Sequence, residues 1–153
     1  MPTIGPRTRI SVVSDDVPNR LVLDAGPLIA LFHKGDRDHA VTAVGFDQLS
    51  VANAMVISPL PIVFEVYKWL LFHAGASSAQ ESLRQMRGSL EVLYPGKDDF
   101  DAAAALSGSV SNWAGTLEDA TVVLASLRLG LPVWTLNYRD LSAFPRLRFW
   151  SPC

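Results

Sequence analysis

The chain has 153 residues, of which 49% are hydrophobic and 18% charged, and this is enough apolar material for the core of one domain. Its formal net charge of −2 argues against a protein that holds nucleic acid through overall positive charge, although local basic patches remain compatible with it. The single cysteine, Cys153, excludes an internal disulfide and a zinc cluster, so any bound metal is expected to have oxygen ligands.

No uncharged apolar run is long enough to span a bilayer. The longest apolar region, residues 55–72, is interrupted by Glu65 and Lys68. The first residues also lack the apolar core of a secretory signal. We therefore expect a cytoplasmic protein without a membrane-spanning segment.

Residues 1–20 differ from the rest of the chain in being rich in Pro, Ser, Thr and Asp. We predict that they form an N-terminal extension, in which the alternating stretch 9–13 could add an edge strand, and that the domain itself covers residues 21–153. Five short apolar runs within the domain are predicted to be strands: 21–23, 55–57, 90–93, 132–134 and 147–150.

Helix signals lie between the predicted strands. They are Pro27 in a first turn, Asp38 before residues 40–49, Ser58 followed by Pro59 at the first helical position, a Ser77–Gln80 capping box, Asp98 before residues 100–113, and Thr116 before a helix that ends at Gly130. Strands and helices therefore alternate. This alternation predicts a mainly parallel sheet with helices on both faces and a ligand site at the carboxyl ends of its strands.

Two acidic residues stand in unusual surroundings. Asp24 follows the apolar run 21–23 and precedes a predicted helix, so it is either a site residue at the carboxyl edge of a buried strand or a helix N-cap. Glu65 lies within the apolar segment 61–70, where a buried and unpaired charge would be costly. The alternative for Glu65 is an exposed side chain that pairs with Lys68, three residues later.

The third acidic candidate is Asp119, near the start of the helix predicted from Thr116. The helical phase of the apolar residues after it places Asp119 at the border of the buried side and directs Glu118 well away, into solvent. Asp119 is therefore the better candidate ligand. It also suits a variant capping box with Thr116, which would explain it without any site.

A polar turn after the fourth predicted strand offers two further oxygen ligands, Asn137 and Asp140. Turn chemistry alone also explains Asn and Asp in such a segment. Their value as site residues depends on whether the sheet order brings the first and fourth strands together.

Five motifs follow one another in the order and spacing of a known family. They are LVLDAGPLIALF around Asp24, DHA at 38–40, PIVFEV around Glu65, LEDA around Asp119, and TLNYRDL with Asn137 and Asp140. Together they resemble the PIN domain, and most of all the VapC-type toxins. The resemblance runs from about residue 21 to residue 152 and includes the closing segment RFWSP.

The resemblance implies a three-layer α/β/α domain with a central, mainly parallel five-stranded sheet of order 3-2-1-4-5. It also implies that Asp24, Glu65 and Asp119 are the catalytic acids that bind Mg²⁺ or Mn²⁺. Asn137 stands where many members have a fourth Asp, and Asp140 matches a secondary acidic position, so both are candidate catalytic residues. Because one negative charge is missing, the number of metal ions, one or two, stays open.

The resemblance implies a metal-dependent endoribonuclease that is the toxin of a type II toxin–antitoxin pair, with RNA as substrate, a cognate antitoxin as partner and a homodimeric assembly. A nucleotide or small-molecule sensor is poorly supported, because the chain has neither a Gly-x-Gly-x-x-Gly motif nor a P-loop. A catalytically weak or silent interaction module is the other alternative, and the missing fourth acid is compatible with it.

Overall fold

The structure is a computed structural model that describes residues 13–14 and 16–152. Within those residues the strands are β1 (Val13–Ser14), β2 (Arg20–Leu23), β3 (Met55–Pro59), β4 (Glu91–Leu93), β5 (Val133–Trp134) and β6 (Phe149–Trp150). All neighbouring strands pair in parallel, in the order β1-β6-β5-β2-β3-β4. Without β1 this is the predicted order 3-2-1-4-5, which is thereby confirmed.

The helices are α1 (Ala25–Phe32), α2 (His39–Val51), α3 (Leu60–Ala74), α4 (Ala76–Ser89), α5 (Lys97–Gly108), α6 (Leu117–Leu129) and α7 (Tyr138–Leu141). They cover both faces of the sheet, as the burial of its central strand shows. Leu21, Val22 and Leu23 of β2 are all 0% exposed. Because successive strand residues point to opposite faces, complete burial of all three requires a packed layer on each side. The α/β/α prediction is confirmed.

The edge strand predicted over residues 9–13 lies mostly outside the described residues. Its last residue belongs to β1, in which Val13 and Ser14 pair with Phe149 and Trp150 of β6. The division between an extension and a domain at residue 21 stays a prediction. Across the described ranges, no helix has the length and apolar character needed to cross a membrane.

Three of the predicted helix signals are wrong in detail. Ser58 does not cap α3, because β3 continues through Pro59, which is itself the N-cap residue. The buried hydroxyl of Ser58 instead donates a hydrogen bond to the carbonyl oxygen of Leu23, 2.9 Å away. It therefore ties the ends of β3 and β2 together.

The capping box predicted from Ser77 and Gln80 is also absent. Helix α4 begins at Ala76, after Gly75, whose φ of 91° ends the preceding helix. The Gln80 side chain donates to the Tyr67 hydroxyl at 2.8 Å, so it joins α4 to α3 instead of capping its own helix.

Helix α5 was predicted to follow Asp98 and to end at residue 113, but it runs from Lys97 to Gly108. Asp99, and not Asp98, accepts the hydrogen bond from the N–H of Gly96 at the N-cap, at 2.8 Å. Trp113 leaves the helix because its indole N–H donates to the carbonyl oxygen of Asp140, 2.8 Å away. A long-range contact has overridden helical propensity at this position.

Candidate active site

Asp24 is the first residue after β2 and sits between β2 and β5. It is 3% exposed, and its backbone N–H donates to the carbonyl oxygen of Trp134 at 3.0 Å. Its Oδ1 accepts a hydrogen bond from the N–H of Ala25 at 2.8 Å, and its Oδ2 accepts one from the hydroxyl of Thr135 at 2.7 Å. The N-cap interpretation of Asp24 is therefore confirmed, but that role occupies only one of its two oxygens.

The surroundings of Asp24 disfavour its negative charge. Burial raises its pKa to about 6, and the nearby charge of Asp119 acts in the same direction. The hydrogen bonds from Thr135 and Ala25 oppose this rise, with Thr135 the stronger of the two. Among the described residues, Asp24 therefore has hydrogen-bond donors but no positively charged partner.

Glu65 lies on α3 with its side chain half-buried. Burial, followed by the charges of Asp24, Asp119 and Glu118, raises its pKa to about 7. Its Oε2 is buried and has no hydrogen-bond partner within the described residues, and no ion pair to Lys68 forms there. The alternative of an exposed Glu65 paired with Lys68 is therefore wrong.

Asp119 is 7% exposed at the start of α6. The predicted capping box is present: Asp119 Oδ2 accepts from the N–H of Thr116 at 2.9 Å, and the Thr116 hydroxyl accepts from the N–H of Asp119 at 3.1 Å. The cap fixes the side chain while its charge acts on both Asp24 and Glu65. Capping and a place at the acidic cluster thus coexist.

Glu118 was expected to be solvated and well away from the site. It is half-buried, and its charge contributes to the raised pKa of Glu65. Helical phase alone missed this, because α3 packs against α6 and brings Glu65 towards the first turn of that helix.

The loop after β5 is linked to Asp24 through Thr135. This residue is fully buried, and its hydroxyl oxygen accepts a hydrogen bond from the N–H of Asn137 at 2.8 Å. The Asn137 amide donates in turn to Asp140 Oδ2 at 3.0 Å, and Asp140 is 8% exposed. Asn137 and Asp140 therefore bind each other, and Thr135, which sequence reasoning missed, is what joins their loop to Asp24.

The chemistry of the cluster suits a hard divalent cation. Mg²⁺ and Mn²⁺ prefer carboxylate oxygens, and crowded carboxylates with raised pKa values gain from a positive charge among them. Glu65 offers a buried oxygen without a partner. In the part of the chain that the structure describes, however, no three His, Cys, Asp or Glu side chains already form a coordination shell. Cation binding would therefore require the carboxylates to draw together.

No family model matches the sequence, and no curated protein matches it. Solved structures do share its fold. VapC20 of Mycobacterium tuberculosis, a sarcin–ricin loop cleaving toxin, superposes with a TM-score of 0.70 at 17% identity over 80% of this chain and 93% of that one. VapBC2 of Rickettsia felis, bound to a DNA fragment from its promoter, superposes with a TM-score of 0.67 at 11% identity, over 85% of this chain and 96% of that one.

A toxin–antitoxin complex from Klebsiella pneumoniae superposes with a TM-score of 0.60 at 19% identity, over 83% of this chain and 94% of that one. Identities this low show the fold alone. The chain therefore has the fold of a VapC-like PIN domain.

Proposed function

We propose that this protein is a divalent-metal-dependent endoribonuclease that acts in the cytoplasm as the toxin of a type II toxin–antitoxin pair. The observation that carries the proposal is the set of acidic side chains at the carboxyl edge of β2, where Asp24 and Glu65 have raised pKa values and no cationic partner among the described residues. Such an uncompensated cluster is costly unless a cation neutralises it.

Asp24, Asp119 and Glu65 are the proposed ligands of Mg²⁺ or Mn²⁺. The bound ion would lower the pKa of a water nucleophile and offset the charge that develops at the phosphorus. Glu65, with a pKa of about 7, holds its proton well into the neutral range. Because a ligand must be deprotonated, cation affinity is expected to rise with pH through that range.

Asn137 and Asp140 are proposed to act from the loop after β5. The Asn137 amide N–H₂ is already used on Asp140, whereas its carbonyl oxygen makes no hydrogen bond within the described residues. That oxygen is the atom proposed to orient a water or substrate group. Asp140 is proposed to support the position of this loop. It accepts the hydrogen bond from Asn137 and lies 3.5 Å from the guanidinium of Arg139.

The proposed partners are RNA as substrate, an antitoxin protein and a second copy of the chain in a homodimer. Support for RNA comes from the acidic cluster and from the similarity in fold to a toxin that cleaves the sarcin–ricin loop. Support for an antitoxin comes from the similarity to a toxin–antitoxin complex. The homodimer rests on the family resemblance of the sequence.

The test is cleavage of RNA by the purified protein with Mn²⁺ and with a chelator, for the wild type and for Asp24→Asn and Asp119→Asn. We expect each substitution to lower the cleavage rate by roughly 100-fold or more, since each removes a charged ligand. Asp47→Asn, at an exposed acid on α2, is the matched control and should cleave like the wild type. Equal rates in all four proteins, or cleavage in the presence of chelator, would contradict the proposal.

Calorimetric titration with Mn²⁺ separates a nuclease from a silent interaction module. The nuclease should bind Mn²⁺ with an affinity that Asp24→Asn and Asp119→Asn reduce. A wild-type protein without a Mn²⁺ site would instead favour the silent module.

A further inference from the structure

One hydroxyl group connects the loop after β5 to the buried carboxylate at the end of β2. The Thr135 oxygen accepts a hydrogen bond from the backbone N–H of Asn137 at 2.8 Å and donates one to Asp24 Oδ2 at 2.7 Å. A hydroxyl carries a single proton. Because the Asn137 N–H approaches the oxygen as a donor, the proton is left for Asp24, and the loop backbone holds the hydroxyl in that orientation.

The same hydroxyl completes the constraint on the Asp24 carboxylate. Oδ1 accepts from the N–H of Ala25 at 2.8 Å, and Oδ2 accepts from Thr135, so both oxygens are held. The torsion that rotates a carboxylate has a broad profile when nothing holds the oxygens. Each ionised oxygen keeps a further lone pair. The two hydrogen bonds therefore direct the remaining lone pairs of Asp24.

We propose that Thr135 is a positioning residue, whose hydroxyl orients the Asp24 carboxylate for a divalent cation. This inference rests on the proposed function, in which Asp24 is a ligand. Residues that hold a metal ligand in place act through geometry, and their loss commonly reduces affinity or activity without removing the site. Valine has the shape of threonine without the donor, whereas serine keeps the donor, so the two substitutions isolate the hydroxyl.

The experiment compares Thr135→Val and Thr135→Ser with the wild type in Mn²⁺ affinity, in kcat and KM for RNA, and in the ¹³C resonance of the Asp24 side-chain carboxyl of the metal-free protein. Thr42→Val is the matched control. Thr42 is also 0% exposed, but it lies on α2 and its hydroxyl has no hydrogen-bond partner among the described residues. Thermal unfolding establishes that each variant is folded.

We expect Thr135→Val to weaken Mn²⁺ binding and to lower kcat, each by about tenfold to 100-fold, with little change in KM. It should also move the Asp24 carboxyl resonance. Thr135→Ser should restore the Mn²⁺ affinity and kcat to within about threefold of the wild type, and the Asp24 carboxyl resonance to its wild-type position. Thr42→Val should change none of the three quantities. The positioning role would be overturned if Thr135→Val and Thr42→Val had the same Mn²⁺ affinity, kcat and carboxyl resonance. It would also be overturned if Thr135→Ser did not restore these quantities.

The carboxyl resonance separates this inference from the proposed function. If the wild-type protein leaves RNA uncut, the proposed function fails, yet a resonance that moves in Thr135→Val and returns in Thr135→Ser still supports the positioning role. A resonance that stays at its wild-type position in Thr135→Val overturns the positioning role whatever the RNA assay shows.

Discussion

Carboxylates in two regions of this protein have pKa values shifted in opposite directions. On the surface of α4, Glu81 accepts hydrogen bonds from the side chains of Arg84, at 2.6 and 2.9 Å, and Gln85, at 3.2 Å, and its pKa falls to about 2. At the carboxyl edge of the sheet, burial raises the pKa of Asp24 to about 6 and that of Glu65 to about 7. The same chemical group is stabilised as an anion in one region and destabilised in the other.

The difference follows from where the chain places its cations. Arg84 and Arg128 both pair with surface acids. Within the described ranges, no Lys, Arg or His side chain forms an ion pair with Asp24, Glu65 or Asp119. Glu81 and Asp99 are neutralised from within the chain. No cation of the described residues neutralises Asp24, Glu65 or Asp119, which leaves this role to protons or to a cation from outside. Experiments on both regions can test this contrast.

The largest effect is expected when a cation is supplied. Mn²⁺ at about 100 times its dissociation constant should raise the free energy of unfolding of the wild type by about 2.7 kcal/mol, because it binds the folded state. Asp24→Asn should lose most of this gain, and Asp47→Asn, at an exposed acid on α2, should keep it. Urea unfolding with and without Mn²⁺ measures the gain. An equal gain in Asp24→Asn would show that the cation binds elsewhere.

The next effect concerns pH in the absence of metal. The pKa of Glu65 rises from its ordinary 4.5 to about 7 on folding, so the folded state binds the proton more tightly. The stability from this group is therefore fully present below about 4.5 and is lost as pH rises through about 7.

Glu65→Gln removes that titration and should exceed the wild type in free energy of unfolding by about 1 kcal/mol above neutral pH, after allowance for solvent screening. The two proteins should converge in acid, where Glu65 is neutral. Urea unfolding as a function of pH measures the difference. A gap that does not change with pH would contradict the raised pKa.

A smaller effect is expected at Asn137. Asn137→Asp replaces a 3.0 Å amide–carboxylate hydrogen bond to Asp140 with two facing carboxylates. The free energy of unfolding of the metal-free protein should fall by about 1 kcal/mol at neutral pH, because a hydrogen bond is exchanged for repulsion between like charges. The loss should shrink in acid, when the new carboxyl is protonated. A gain in stability at neutral pH would mean that the loop rearranges and that the two carboxylates do not face each other.

The smallest effect is expected on the surface. Glu81→Gln removes an exposed carboxylate, and exposed ion pairs contribute little because water and salt screen them. Its free energy of unfolding should equal that of the wild type within experimental error, and added salt should not change the comparison. A loss as large as that of Asn137→Asp would show that the surface pair matters as much as the site.

Much of the fold could be predicted because the strands are short apolar runs and the helices between them are long. The parallel sheet follows from that pattern, and its strand order follows from the family resemblance. The capping box of Thr116 and Asp119 and the end of α6 at Gly130, with its φ of 64°, follow from local chemistry. The start of α4 and the end of α5 did not follow from local chemistry, because Gln80 and Trp113 make contacts with other elements that local signals do not contain.

The candidate site was predicted in part. Asp24 and Asp119 could be selected from strand-edge position and helical phase, whereas Glu65 depended on the resemblance. Thr135 was missed because a threonine after a short strand carries no local sign of a role. Its partner, Asp24, lies 111 residues earlier in the chain, and only the pairing of β2 with β5 brings the two together.

The sequence by itself determined most of the strands and helices and placed Asp24 and Asp119 near the ends of two of them, since these features depend mainly on neighbouring residues. Only the tertiary structure decided the pKa of Asp24. Its pKa is raised by burial and by a carboxylate on another helix, while a hydroxyl in the loop after β5 opposes the rise. These are properties of packing between distant segments, because desolvation and Coulomb forces depend on distance in space and not on position in the chain.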